Sequence, residues 1–214
     1  MAGKVKSVKQ SKIKAMGNQY KNMPQNILGS GKVIPTNNIR EITTTLKDNG
    51  YKIVLTQGVW DLLHEGHAKY LQKAKKLGDV LIVAVDTDEV VKYRKGPSRP
   101  IVPEKERVKM ISHLKHVDLI VMKESKTDNE KLIKLIKPNI LVVSKTTKSK
   151  IAGADFISRV KKRFGQHCGD VIGLMPQSTT STTARIRLLT IKGAEDLAKE
   201  LQKSIENFLY NNKL

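Results

Sequence analysis

The chain has 214 residues, with 40 Lys plus Arg against 20 Asp plus Glu and 39% hydrophobic content. That length suits one substantial core or a core with a tail, and plentiful Ile, Leu and Val argue against a disordered chain. No run of about 18 apolar residues occurs, which excludes a membrane-spanning helix, and the single cysteine, Cys168, can form neither an internal disulfide nor a cysteine-based zinc site. A lone thiol fits a reducing compartment, so a cytoplasmic location is expected.

In chain order, residues 1–30 come first and read as a flexible or peripheral basic arm. They carry Lys4, Lys6, Lys9, Lys12, Lys14 and Lys21, and no acid precedes Glu41. Such an arm suits a polyanionic partner such as nucleic acid. The plain alternative is a solvated Lys-rich surface, since 32 of the 40 basic residues are Lys and Arg is the residue favoured for geometric phosphate recognition. The arm lacks the apolar core of a secretory signal and the arginines of a mitochondrial presequence. Residues 36–48 predict a lead-in helix capped by Asn38 or Asn37 and ended by Asn49-Gly50.

From residue 50 onward, short apolar runs alternate with amphipathic stretches, the pattern of a parallel sheet with crossover helices. The strand-like runs are Tyr51–Thr56, Val80–Val85, Val117–Met122, Ile140–Val143 and Val171–Met175; helical stretches fall at 66–77, 104–114, 128–137 and 154–164. The expected fold class is therefore α/β, a doubly wound five-stranded parallel sheet spanning residues 31–192. A C-terminal helix over 193–214 has Ala194, Leu197, Ala198, Leu201, Ile205 and Leu209 in one stripe. Packing on the domain is its expected role, with a homodimer surface as the alternative.

Three segments carry chemistry. After the first strand the chain reads Gly58-Val59-Trp60-Asp61-Leu62-Leu63-His64-Glu65-Gly66-His67, at the carboxyl end of a strand where open parallel sheets bind ligands. Gly58 lets backbone approach a phosphate, and the next helix aims unpaired N–H groups at it. His64 and His67 can project into one small volume, donate to phosphate oxygens and stabilise charge added during phosphoryl or nucleotidyl transfer. A two-histidine metal site and ordinary surface histidines are the competing readings, and no Cys or third His is placed to complete a metal site. Further on, Tyr93-Arg94-Lys95-Gly96-Pro97-Ser98-Arg99-Pro100 sets three cations in a loop stiffened by Pro, an electropositive clamp or simply an exposed basic loop. Last, the hydroxyl run Ser178–Thr183 precedes Arg185 and Arg187 at a helix start that favours anions, although a plainly capped helix explains it equally.

The ordered set formed by the histidine turn, Lys95-Gly96-Pro97-Ser98-Arg99-Pro100 and Val117-Asp118 resembles the cytidylyltransferase-like nucleotidyltransferases over about residues 30–190. Within that superfamily it is most similar to the adenylyltransferase domain of ADP-heptose synthase and to glycerol-3-phosphate cytidylyltransferase. The resemblance implies a Rossmann-like nucleotidyltransferase fold that moves AMP or CMP from ATP or CTP to a phosphorylated small molecule and releases pyrophosphate. It implies catalytic roles for His64, His67 and Lys95, and nucleotide binding by Gly58, Val59, Trp60, His64, His67, Ser181, Thr182 and Thr183. It implies weaker substrate-binding roles for Asp61, Arg94, Arg99 and Lys115. Mg²⁺ is expected with the triphosphate and no dedicated metal ligands are expected. Two departures are visible: Ser144–Lys148 replaces a glycine-containing segment of the heptose enzymes, and Gln177 stands where the cytidylyltransferase branch has an arginine.

Overall fold

The computed structural model describes residues 29–126, 130–144, 153–175, 177 and 182–211. The basic arm, Ser181 and most of the altered segment, residues 145–148, lie outside the described residues, as do the side chains of Thr182, Thr183, Arg185 and Arg187. The chain divides into two compact units, one ending at Gln177 and the other starting at Ser178.

The first unit is built around strands β1 (Lys32–Ile34), β2 (Ile53–Gly58), β3 (Val80–Asp86), β4 (Leu119–Lys123), β5 (Ile140–Ser144) and β6 (Asp170–Leu174). They pair in parallel throughout, in the order β1-β4-β3-β2-β5-β6. Its helices are α1 (Ile39–Asp48), α2 (Glu65–Lys75), α3 (Asp88–Lys95), α4 (Glu104–Ser112), α5 (Lys131–Ile136) and α6 (Gly153–Phe164). The second unit holds α7 (Thr182–Asn211), which runs through Gly193 as one 30-residue helix.

Apolar runs without alternation mark strands covered on both faces. All seven residues of β3 are buried, and they divide by parity: Val80, Ile82 and Ala84 join α1, α5 and α6 in one core, whereas Leu81, Val83 and Val85 join α2 and α4 in the other. Strand β2 splits likewise, Ile53 and Leu55 on the first face and Val54 on the second. This is the expected doubly wound sheet, with one strand more than expected. β1 has three residues and one buried side chain, Ile34, too little for a periodic signal. Its pairing with β4 is helped by Gly31 and Lys32, whose N–H groups donate to the carbonyls of Val117 and Asp118. Helix α3 is also new relative to the sequence reading, because Thr87 caps it by accepting from Val90 N–H at 3.3 Å.

The Val117-Asp118 motif lies at the amino end of β4. Asp118 is fully buried; one oxygen accepts from Gly29 N–H (2.7 Å), the other from Leu81 N–H (2.6 Å) and Lys75 Nζ (2.5 Å). It therefore joins the segment before β1, the start of β3 and the end of α2. Removing one partner of a buried pair leaves the others desolvated. Asp118→Ala should lower unfolding free energy by about 3 kcal/mol, read as a lower urea midpoint with an unchanged slope; a midpoint within error of the parent would refute this role.

Candidate active site

Strand β2 has neighbours on both sides, β3 and β5, and the chain winds outward from it in both directions. The crevice beyond its carboxyl end is where such sheets take ligands. There the backbone turns sharply. Trp60 (φ 58°) and Leu62 (φ 45°) both occupy left-handed conformations, which side chains other than glycine adopt at a cost of about 1 kcal/mol or more each. Gly58 suits the close packing there: a Cβ on it would come within 3.1 Å of the Trp60 indole.

The turn delivers His64 to the N-cap of α2. Its Nδ1 accepts from Gly66 N–H at 3.0 Å, and His67 Nδ1 accepts from His64 N–H at 3.4 Å. This reciprocal capping box commits both Nδ1 atoms as acceptors, so in the neutral rings the proton resides on Nε2. The ring centroids are 4.1 Å apart. Both imidazoles thus carry an Nε2–H donor at a helix N-terminus, whose dipole favours anions. His67 is braced from behind by Trp60, edge to face at 5.6 Å. Trp60 is 6% exposed and donates Nε1–H to the Ala84 carbonyl at 3.1 Å. Tyr70, bonded to Thr56 at 3.0 Å, packs on the Trp60 ring. Burial above all depresses the His67 pKa to about 4; a second positive charge beside His64 and the Lys95 ammonium is also disfavoured, and Asp61 pulls the other way. His67 is neutral at pH 7 and acts as an oriented N–H donor.

The basic segment predicted as a loop is the last turn of α3 followed by a short loop, and its three cations have different surroundings. Arg94 donates to buried Asp86 at 2.8 Å and Arg99 to buried Asp61 at 2.7 Å. Asp61 also accepts from the N–H groups of Ile101 (3.1 Å) and Val102 (2.9 Å). Burial alone would raise the Asp61 carboxyl, but these N–H groups and Arg99 outweigh it and hold it below the usual range. Lys95 enters no ion pair among the described residues. Although the residue is open to solvent, lost hydration of its ammonium lowers the pKa, with Arg99 and Arg94 repelling it and Asp61 and Asp86 pulling the other way. A cation held among other cations is primed to receive an anion. Gly96 (φ 95°) ends α3 directly after it.

Of the sequence-predicted site residues, His64, His67, Gly58, Val59 and Asp61 share the turn after β2, and Asp61 ties it to the Arg94–Arg99 segment. Trp60 backs His67, and its indole N–H is taken by the Ala84 carbonyl. Lys115 precedes β4 and so lies at the amino ends of the strands, opposite the histidine turn. Sequence reasoning missed Arg107, which is 1% exposed. It donates to Val59 O, to Val102 O (2.9 Å), to Asp86 O (2.9 Å) and to Asp88 Oδ1 (2.7 Å). An arginine within a predicted amphipathic helix gives no signal of its own; only its apolar neighbours Val108 and Ile111 hint that its side faces inward.

The description "Cytidylyltransferase-like" belongs to the family model that matches residues 55–187, more than half of the chain. The chain belongs to that family. Curated relatives include the bifunctional protein HldE of Desulfatibacillum aliphaticivorans, 36% identical over 84% of this chain and 34% of that protein. HldE of Nitratiruptor sp. is 47% identical over 58% of this chain and 27% of its own length. The chain thus spans about a third or less of the curated relatives it matches. Among solved structures, pantoate-beta-alanine ligase from Francisella tularensis shares the fold, with a TM-score of 0.50 at 17% identity over 71% of this chain and 68% of that one. The His64–His67 turn lies within the span matched by the cytidylyltransferase-like family.

The neutral state of His67 has a measurable consequence. Its pKa falls from 6.5 in the unfolded chain to about 4 in the fold, so the unfolded state binds the proton more readily. Its contribution to stability is complete above about pH 6.5 and is lost as pH falls toward 4, by up to about 3 kcal/mol. In urea titrations at pH 7.5 and 4.5, His67→Gln should lose less stability on acidification than the parent. Equal losses would show that His67 is not held neutral by the fold.

Proposed function

We propose that this nucleotidyltransferase transfers AMP or CMP from ATP or CTP to a phosphorylated small molecule of the sugar phosphate or polyol phosphate class. An anionic oxygen of the acceptor phosphate attacks the α-phosphorus; the new P–O bond forms as the α–β bridge breaks, and pyrophosphate leaves. The acceptor is ionised at neutral pH, so no protein base has to remove a proton. The protein's work is to align two anions that repel each other and to stabilise charge at the α-phosphate.

The single observation that supports this reading is the pair of Nε2–H donors fixed by the capping box at the start of α2, beside an ammonium that has no carboxylate partner among the described residues. His64 and His67 would donate to α-phosphate oxygens, and Lys95 would offset charge along the phosphate chain. Gly58 and Val59 would set the backbone against the nucleotide. Mg²⁺ would arrive with the triphosphate. Asp61 and Asp86 are bound to arginines, and among the described residues no three His, Cys, Asp or Glu side chains are grouped to hold an ion, so the phosphate oxygens themselves would be its ligands. The side chains of the Ser181–Thr183 segment lie outside the described residues, and no step is built on them. Nucleic-acid binding without turnover is not favoured, because the family match covers the histidine turn.

Pyrophosphate release should be screened with ATP and CTP against heptose 1-phosphate, glycerol 3-phosphate, phosphocholine and phosphoethanolamine. One pair should turn over, and His64→Ala or His67→Ala should lower kcat about 10²–10³-fold. Lys95→Ala should raise the nucleotide KM about tenfold. Full activity in both histidine variants would refute the roles given to them.

A further inference from the structure

We infer that Asp86 is a substrate-recognition residue that takes a hydroxyl hydrogen of the acceptor, and that it forms with Arg94 a subsite for a phosphorylated polyol on the β3 and β4 side of the histidine turn. The inference rests on the nucleotidyl-transfer reading and names where its second reactant binds. Asp86 is the last residue of β3, opposite Lys123, the last of β4; in the next register position Val85 pairs with Gly58 of β2. The subsite is therefore one strand away from the histidine turn. A nucleotide in the crevice at the β2 and β5 switch point leaves the ends of β3 and β4 to the other substrate.

Three buried aspartates in this unit allow a comparison. Both oxygens of Asp118 and both of Asp61 accept hydrogen bonds from backbone N–H groups as well as from a cation. Asp86 differs. Its Oδ2 accepts from Arg94, but its Oδ1 is buried with no hydrogen-bond partner among the described residues. Lys123 Nζ lies 3.3 Å from it, an ion pair at the long end of hydrogen-bonding distance. An unsatisfied buried acceptor is destabilising, and an apolar pair would pack between two strand ends at lower cost. Folding uses the charge of Asp86 and its Oδ2 but leaves Oδ1 without a hydrogen bond, which an incoming hydroxyl would supply.

The route in is the Arg94 side chain, which is 45% exposed and closes over Asp86 from the last turn of α3. A phosphate monoester offers the guanidinium two oxygens in place of one carboxylate oxygen, so the acceptor's phosphate would draw Arg94 off Oδ2 and open the carboxylate, and the acceptor's hydroxyl would donate to Oδ1. Lys123, 5% exposed, remains as the counter-charge. An acceptor without that hydroxyl would leave Asp86 unpaired and be rejected.

The test compares the parent with Asp86→Asn, which keeps the shape but removes the charge. Acceptor KM should be measured by pyrophosphate release with the best pair from the screen, and ATP and CTP affinity by calorimetry. Acceptor KM should rise about 30-fold with nucleotide Kd changed less than about twofold, and the parent's preference for the hydroxylated acceptor over its deoxy analogue, about 100-fold, should largely disappear. A thermal melt checks folding, and Lys123→Met supplies a second variant, expected to shift acceptor KM in the same direction. Unchanged acceptor KM in a folded Asp86→Asn protein, or equal losses in nucleotide and acceptor binding, would overturn the inference while wild-type turnover stands. A wild-type protein that releases no pyrophosphate with any pair would instead overturn the nucleotidyl-transfer reading, and this subsite with it.

Discussion

One buried guanidinium holds the catalytic end of this molecule together. Arg107 reaches from α4 beneath three segments and donates to Val59, Asp86, Asp88 and Val102. These residues follow β2, end β3, open α3 and precede α4. Strand-to-helix connections are ordinarily the freest parts of an open sheet; here they share one rigid, planar donor. Desolvating a guanidinium is expensive, and only a full set of acceptors in good geometry offsets it. Arg107 has that set, including the carboxylate of Asp88. Asp88 and Glu104 also exchange bonds, Asp88 N–H to Glu104 (2.6 Å) and Glu104 N–H to Asp88 (3.2 Å), locking the starts of α3 and α4 to each other.

The histidine turn depends on this frame. With the Val59 carbonyl fixed, the chain must pass through two left-handed residues, Trp60 and Leu62, to bring His64 to the N-cap of α2. Such strain persists only where the surroundings over-determine it. They do so from both sides: Arg107 holds the carbonyl before the turn, and the Ala84 carbonyl, Tyr70 and His67 hold Trp60 inside it. The same economy governs charge. Two of the three cations of the 94–99 segment are drawn to buried carboxylates, which fixes the segment and leaves Lys95 to face an anion.

Much of this was legible in the sequence. The uniformly apolar run over 80–85 required a strand buried on both faces, and the alternation of such runs with amphipathic stretches required crossover helices. The histidine turn was legible because its residue types and its position after a strand carry the chemistry together. Other features were not. β1 is three residues long and is specified by the partner it borrows from β4, not by its own pattern. The helix at 88–95 has only Val90 and Val91 buried, so no apolar period announces it. The division of labour among Arg94, Lys95 and Arg99 depends on which cation has a carboxylate nearby, and those carboxylates, Asp61 and Asp86, are 38 and 8 residues away from their arginines. Long-range pairing of this kind has no local signature. The amino-end placement of Lys115 likewise follows from strand direction alone.

Hydrogen exchange of an Arg107→Lys variant tests the central claim most directly, because lysine keeps the charge but cannot bond four acceptors in a plane. If a single guanidinium frames the site, segments 59–64, 86–90 and 99–103 should lose protection together, by roughly tenfold or more, while the core amides of β2, β3 and β4 keep theirs. Protection that is unchanged, or lost in one segment alone, would contradict the claim.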